Sequence, residues 1–319
     1  MCIRDSPCGA EQPTASNLNY TTAPGSSTIP NAVVAKLGDN GTVCLFASQS
    51  LHLVVDVNGM FPAGTTFQPI NPARLRDTRD GFTTVDGDQQ GGGPIIAGPA
   101  GAVTSVKVVN RAGIPATAVA VALNVTVTEP EAAGFATVFP CNETRPTASN
   151  LNYTPGQTIP NLVIAKVGSS GSVCIFTQST AHFVVDVDGY FAAGTTYTAQ
   201  NPARFLDTRV GFATIDGQSA GGDVRPAGAV TVVQVTGRNN IPAGATSVVV
   251  NVTVTEPTGD GYVTVYPCGI EPPLASNLNF VAGQTIPNTV ISKLAGDGTV
   301  CLYNSQPTQL IADVDGYFP

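Results

Sequence analysis

The sequence predicts an all-β protein: tandem antiparallel β-sandwich modules of jelly-roll or Greek-key type, with about eight strands in each. Three observations lead there. Charged residues are only 11% of the chain, whereas Gly (34) and Pro (25) are abundant, a balance that favours strands and turns over long helices. Val- and Thr-rich runs with period-two alternation recur at short intervals, separated by Gly-Asp-Gly, Pro-Ala-Gly and Gly-Gln turns. Third, the chain repeats itself. "ASNLNY" at Ala15 and Ala148 returns as "ASNLNF" at Ala275. "TIPN" follows at Thr28, Thr158 and Thr285, and "VDVNGMF", "VDVDGYF" and "ADVDGYF" follow at Val55, Val185 and Ala312. "NPARLRDTR" (Asn71–Arg79) and "NPARFLDTR" (Asn201–Arg209) occur twice, as do "LNVTVTEP" and "VNVTVTEP" from Leu123 and Val250.

The last copy carries the strand signals in order. The NPAR…DTR segment is the first. Then come Val230–Gly237, Thr246–Glu256, Gly261–Cys268, Ala275–Phe280, Thr289–Ala295, Thr299–Asn304 and Leu310–Phe318. A closed barrel is the alternative to a sandwich. Small-residue joints follow two of the three closing motifs, so a module runs from just before NPAR to DVDGYF. That places complete modules at residues 64–193 and 194–319, and the C-terminal half of another at residues 7–63. Met1–Ser6 have no counterpart before Cys141 or Cys268. They are also what "ATGTGTATAAGAGACAG" plus one base encodes, which resembles a transposon-end sequencing adapter. They are therefore expected to be a library scar outside the fold.

Without Cys2, six cysteines remain, two per copy: Cys8 and Cys44, Cys141 and Cys174, Cys268 and Cys301. Paired positions repeated three times predict one disulfide per copy and an oxidising, extracellular or cell-surface setting. No CxxC pair or Cys/His cluster suggests zinc. The net charge of −8 argues against nucleic acid, and no apolar run is long enough for a membrane span.

Together, "NPARFLDTR", "NNIPAGATSVVVNVTVTEP", "GYVTVYPCG", "ASNLNF", "GQTIPN" and "DVDGYF" resemble a repeat module of exported actinobacterial proteins, over nearly all of residues 7–319. The resemblance implies a secreted or surface location and an accessory β-sandwich role. It offers no catalytic or ligand residues to transfer.

The copies are an internal control on chemistry. His52 and His182 share a module position that is Gln309 in the last copy, which does not suit a required base or metal ligand. "GQSAG" (Gly217–Gly221) fits a nucleophile motif, but it lies in a Gly-rich loop whose counterpart lacks Ser. No enzyme activity and no cofactor are expected. Four side-chain sets remain. Asn150 and Asn152, with Asn277 and Asn279, either hydrogen-bond backbone or form a polar ligand surface. Asp186 and Asp188, with Asp313 and Asp315, either serve turns and ion pairs or form a weak Ca²⁺ candidate. Lys36, Lys166 and Lys293 could crosslink to asparagine. Finally, the motif that opens a module is expected to clasp the one that closes it, Arg79 to Asp186 and Arg209 to Asp313. The expected function is a non-catalytic spacer, display or adhesion array, whose partner is a cell-wall or extracellular glycan or a surface protein. The alternative is a carbohydrate-binding tail of an exported hydrolase.

Overall fold

The computed structural model describes every residue except 1, 14, 21–27, 63–65 and 195. The module boundary at Gly64 and the extra residues of "TTAPGSST" lie outside the described residues, apart from Thr28. No helix occurs among the described residues. The second module contains β4 (Phe67–Asp77), β5 (Ala102–Lys107), β6 (Ala118–Thr128), β7 (Gly134–Pro140), β8 (Leu151–Tyr153), β9 (Ile159–Lys166), β10 (Ser172–Thr177) and β11 (His182–Ala192). The third repeats them as β12 (Thr198–Asp207), β13 (Ala229–Gln234), β14 (Ser247–Thr255), β15 (Gly261–Pro267), β16 (Leu278–Phe280), β17 (Ile286–Lys293), β18 (Thr299–Asn304) and β19 (Gln309–Phe318).

Each of these modules is a sandwich of two four-stranded antiparallel sheets, β4-β11-β6-β9 over β5-β10-β7-β8, and β12-β19-β14-β17 over β13-β18-β15-β16. Counting strands from the start of a module, the orders are 1-8-3-6 and 2-7-4-5. This is the jelly roll, in which first and last strands lie side by side. The disulfides Cys141–Cys174 and Cys268–Cys301 staple the end of β7 to β10 and the end of β15 to β18, with Cα atoms 4.9 and 5.0 Å apart. Cys8–Cys44 repeats the staple in the first copy, and Cys2 is free.

The 1-8-3-6 sheet is buried on both faces. Leu123, Val125, Val185 and Val187 point into the module's own core, while Ala120, Ala122, Leu162, Ile164 and Phe191 belong to a second apolar cluster shared with the other copies. Burial on both faces explains why β6 reads AVAVALNVTVT, an almost unbroken apolar and Thr run rather than a strict alternation.

That second cluster has threefold character. Phe61, Phe191 and Phe318, the closing aromatics of the three copies, form a triangle with ring centroids 6.0, 6.2 and 5.6 Å apart. The TIPN asparagines run round the same axis. Asn31 Oδ1 accepts the Leu162 N–H at 3.1 Å, Asn161 Oδ1 that of Thr289 at 3.2 Å, and Asn288 Oδ1 that of Ala32 at 3.2 Å. Each bond joins equivalent atoms of different copies, so the three copies are arranged as a ring about an approximate threefold axis.

The first copy keeps only part of its sandwich. β1 (Cys2–Pro7), β2 (Leu18–Asn19) and β3 (Val43–Ala47) form a sheet of order β2-β1-β3. The segment expected to stand outside the fold thus enters it. Pairing of Pro7 with Val43 and Ser6 with Cys44 puts β1 where β7 lies in the second module, because a ladder is held by backbone groups that any residue but proline supplies. Residues 51–60, the counterpart of β11, form no strand, and Val54, Val57 and Met60 are more than four-fifths exposed.

Amide hydrogen exchange should therefore be fastest at residues 51–60 and slowest in β6 and β14. Comparable protection in all three would contradict this picture. Replacing Cys141 and Cys174 by Ser should lower stability by about 2–4 kcal/mol in urea unfolding, through the extra entropy of the unlinked unfolded chain.

Candidate functional site

The polar residues that recur between copies converge where one module meets the next. Neighbouring strands set the register: Asp186 on β11 lies opposite Arg74 on β4, and Asp313 on β19 lies opposite Arg204 on β12. Arg74 donates from Nε and Nη2 to the two Asp186 oxygens, at 2.9 and 3.2 Å, and from Nη1 to Asp77 at 3.0 Å. Arg204 repeats this with Asp313 at 2.9 and 3.1 Å and with Asp207 at 3.0 Å. Burial alone would lower the arginine pKa; the paired carboxylates outweigh it, and both arginines are shifted upward.

The clasp between the opening and closing motifs is thus present, but the arginine is different from the one expected. Arg79 and Arg209 do not reach Asp186 and Asp313. They lie beyond the ends of β4 and β12 and fold back to bind Asp77 and Asp207, with Nη2 2.8 Å from the carboxylate in each case. Their guanidinium groups also sit over Phe82 and Phe212, at 3.9 and 3.7 Å. Asp77 and Asp207, completely buried, are each shared by two arginines. Asp56, the first copy's equivalent of Asp186, is exposed and has no ion pair among the described residues.

The same carboxylates reach the preceding module. Asp186 Oδ2 accepts the Ser16 N–H at 3.2 Å, and Asp313 Oδ2 the Ser149 N–H at 3.3 Å. Beside them, Asn251 Nδ2 donates to the Ser149 carbonyl at 2.7 Å and Asn161 Nδ2 to Asn251 Oδ1 at 2.9 Å. At the seam between the first and second copies, Asn31 donates to Asn124 Oδ1 at 2.9 Å, and Asn124 donates to the Ser16 carbonyl. Two seams with the same polar pattern are therefore in place.

The SNLN asparagines do not form a ligand surface as a set. Asn150 and Asn277 each accept a backbone N–H, from Val138 and Val265, at 2.7 Å, which fixes the short strand to its neighbour. Asn152 accepts from the Ser149 hydroxyl at 3.1 Å, and both it and Asn279 are half-buried. The DVDG carboxylates divide in role. Asp186 and Asp313 are neutralised by arginine. Asp188 and Asp315 are buried at or beside strand bulges, and neither of their oxygens has a hydrogen-bond partner. Burial pushes both carboxyls well above the ordinary range, helped by the charges of Asp5 and Asp186 at Asp188 and of Asp313 at Asp315. No group of three or more His, Cys, Asp or Glu side chains placed to share a metal occurs among the described residues, and of the Ca²⁺ candidates Asp186 and Asp313 are engaged by arginine.

His182 Nδ1 lies 2.9 Å from the Thr78 hydroxyl, and Gln309 takes the same place against Thr208 at 2.5 Å, a structural contact in both modules. Lys166 pairs with Glu143 at 2.7 Å rather than with an asparagine. The sequence reading missed Arg111 and Arg238. Each is buried and grips a loop aspartate, Asp86 or Asp216, through two bonds of 2.6 to 2.8 Å, while donating to the Leu75 or Phe205 carbonyl. Their signal was present as an arginine at one position of both complete modules. No family model matches the chain, and no curated protein matches it either.

Arg204→Met should cost about 3–5 kcal/mol in urea unfolding, because buried Asp313 loses its arginine and Asp207 loses one of two, and Arg204→Lys should recover only part of it. Arg209→Met should cost less, since that side chain is partly exposed and Arg204 still serves Asp207. Equal losses would contradict the assignment. The pH dependence follows from the raised carboxyls. Asp5 is pushed up to about 6 by burial. A group whose folded pKa lies above its unfolded one contributes stability at low pH and loses it as pH rises through the folded value. Melting temperature should therefore fall as pH is raised from about 4 through 6 and beyond. Asp188→Asn should raise it at neutral pH and flatten the profile. A lower melting temperature for Asp188→Asn at pH 7 would mean the carboxylate is ionised and paired.

Proposed function

We propose that this chain is a non-catalytic, secreted or cell-surface repeat array whose modules act as a rigid spacer, display or adhesion unit. One observation carries the reading: the side chains repeated from copy to copy are used internally. The cysteines staple a sheet, the NPAR arginines and DVDG aspartates join first and last strands, and the TIPN asparagines bind one copy to the next. Side chains committed to holding modules together suit a building element rather than a reaction centre. Three disulfides fit an oxidising compartment.

A second reading, a glycan-binding accessory tail, is favoured by a cleft of about 450 Å³ at the seam of the second and third modules, lined by Thr144, Arg145, Thr147, Asn201, Arg204 and Asn239. Its lining mixes these polar groups with Pro146, Pro202 and Ile215 and holds no aromatic ring on which a sugar could stack, which weakens it against the first.

Both readings meet in one experiment. The purified chain is applied to a glycan array and to isolated cell walls, and assayed for release of reducing sugar. The expected result is no turnover and no saturable retention that depends on the cleft. Saturable retention that Asn201→Ala and Arg145→Ala abolish would replace the spacer reading with the glycan-binding one.

A further inference from the structure

The ring has two completed seams and one open one. In each completed seam, a module's SNLN segment is covered by the next copy: Ala148, Ser149 and Asn150 are buried, as are Ala15 and Asn17. The equivalent residues of the third module, Ala275, Ser276 and Asn277, are only half-buried, and Leu274 beside them is fully exposed. The order of contact is cyclic. Ser16 of the first copy binds Asp186 of the second, and Ser149 of the second binds Asp313 of the third. The third step would take Ser276 to Asp56, and Asp56 stands exposed without an arginine.

The segment that carries Asp56 is incomplete in the same way. Its counterpart β11 is hydrogen-bonded on one side to β4 and on the other to β6. Among the described residues, 51–60 have neither neighbour and expose Val54, Val55, Val57 and Met60. The Asn288 amide shows one more gap. Asn31 and Asn161 each donate to a neighbour's NVT asparagine as well as to a carbonyl of their own copy, whereas among the described residues Asn288 donates to the Asn277 carbonyl alone. Around the axis itself the ring is already closed, by Asn288 to Ala32 and by Phe318 to Phe61.

We propose that residues 51–60 and the Leu274–Asn277 and Asn288 face of the third module form one docking site. Its occupant is a half-module of the Phe67–Thr128 type, which closes a three-module ring. The chemistry of that occupant is specified by the gaps. It brings one strand on each side of residues 51–60, an NPAR-type arginine for Asp56, and an NVT-type asparagine for Asn288 and the Ser276 carbonyl. Its apolar side chains lie beside Val55 and Val57 on the core face, as Val125 and Leu123 lie beside Val185 and Val187. The three-module ring, rather than the single sandwich, is then the unit in which such an array is assembled. This does not depend on whether the array is a spacer or binds glycan.

The test compares the chain as it stands with one in which a copy of Thr66–Phe139 precedes Pro7 in place of residues 1–6. Hydrogen exchange is read at two places, residues 51–60 and residues 274–277. Closure predicts about a hundredfold slower exchange at both, against an unchanged β14. Protection of 51–60 alone would mean that the added half completes its own sandwich without closing the ring, and would overturn the proposal. A second measurement guards against an extended chain that does not fold. A synthetic copy of Ala118–Thr128 is added to the unextended chain. Saturable binding that protects 51–60, absent with a scrambled peptide, supports the site. No binding by peptide and no protection in the extended chain overturns it, as does a self-associated unextended chain in light scattering whose contacts already cover residues 51–60.

Discussion

A sheet buried on both faces has no water to solvate a polar side chain on either side, and this constraint governs the rest of the molecule. The 1-8-3-6 sheet of each module faces its own core on one side and the neighbouring copies on the other. Any charge placed there must be matched within the protein. Arg74 and Arg204 meet that requirement with two carboxylates each, and Asp77 and Asp207 with two arginines each. One partner of every clasp also accepts a backbone N–H from the preceding copy. The group that joins a module's first strand to its last therefore also orients the neighbouring module. Closing the sandwich and building the seam are one event in electrostatic terms, which is why a module with half its strands missing also leaves a seam open.

Much of this was legible in the sequence, and the parts that were not have a common cause. The repeat set the disulfide pairing, and the turn spacing set about eight strands per module. The choice between Arg74 and Arg79 depended on strand register. Both belong to one nine-residue motif, and alternation cannot say which will face Asp186 once bulges interrupt the β4–β11 ladder on either side of that residue. Arg111 and Arg238 were overlooked because they follow their strands in loops, where period-two reasoning has no purchase.

The ring was the least legible feature, since copies strung as separate beads and copies closed about an axis share one repeat pattern. A signal existed in AVAVALNVTVT. A strand with one wet face should alternate apolar with polar residues, and Ala118–Leu123 is apolar throughout. The Asn of TIPN was a second, unread signal. A polar residue repeated within a buried strand needs a partner, and none within its own sheet was evident.

The strand β1 (Cys2–Pro7) shows what this template demands of a strand. β1 takes the place of β7, with Ile3 where the second module has Ala136 and Asp5 where it has Val138. The backbone anchor survives the exchange. Asn17 Oδ1 accepts the Asp5 N–H at 2.9 Å, as Asn150 accepts that of Val138 and Asn277 that of Val265. A ladder partner and an asparagine carbonyl read only N–H and C=O groups, so they are indifferent to side-chain identity. The core is not. Asp5 is buried where a valine belongs, and its carboxyl titrates near 6 because burial resists the charge. It also raises the neighbouring Asp188. The register of β1 therefore follows from what flanks it, Pro7 and the Cys8–Cys44 staple, since its own side chains argue against it. In this fold the staple and the asparagine can seat a strand that hydrophobic matching alone would reject, with the penalty appearing as a raised carboxyl rather than as a lost strand.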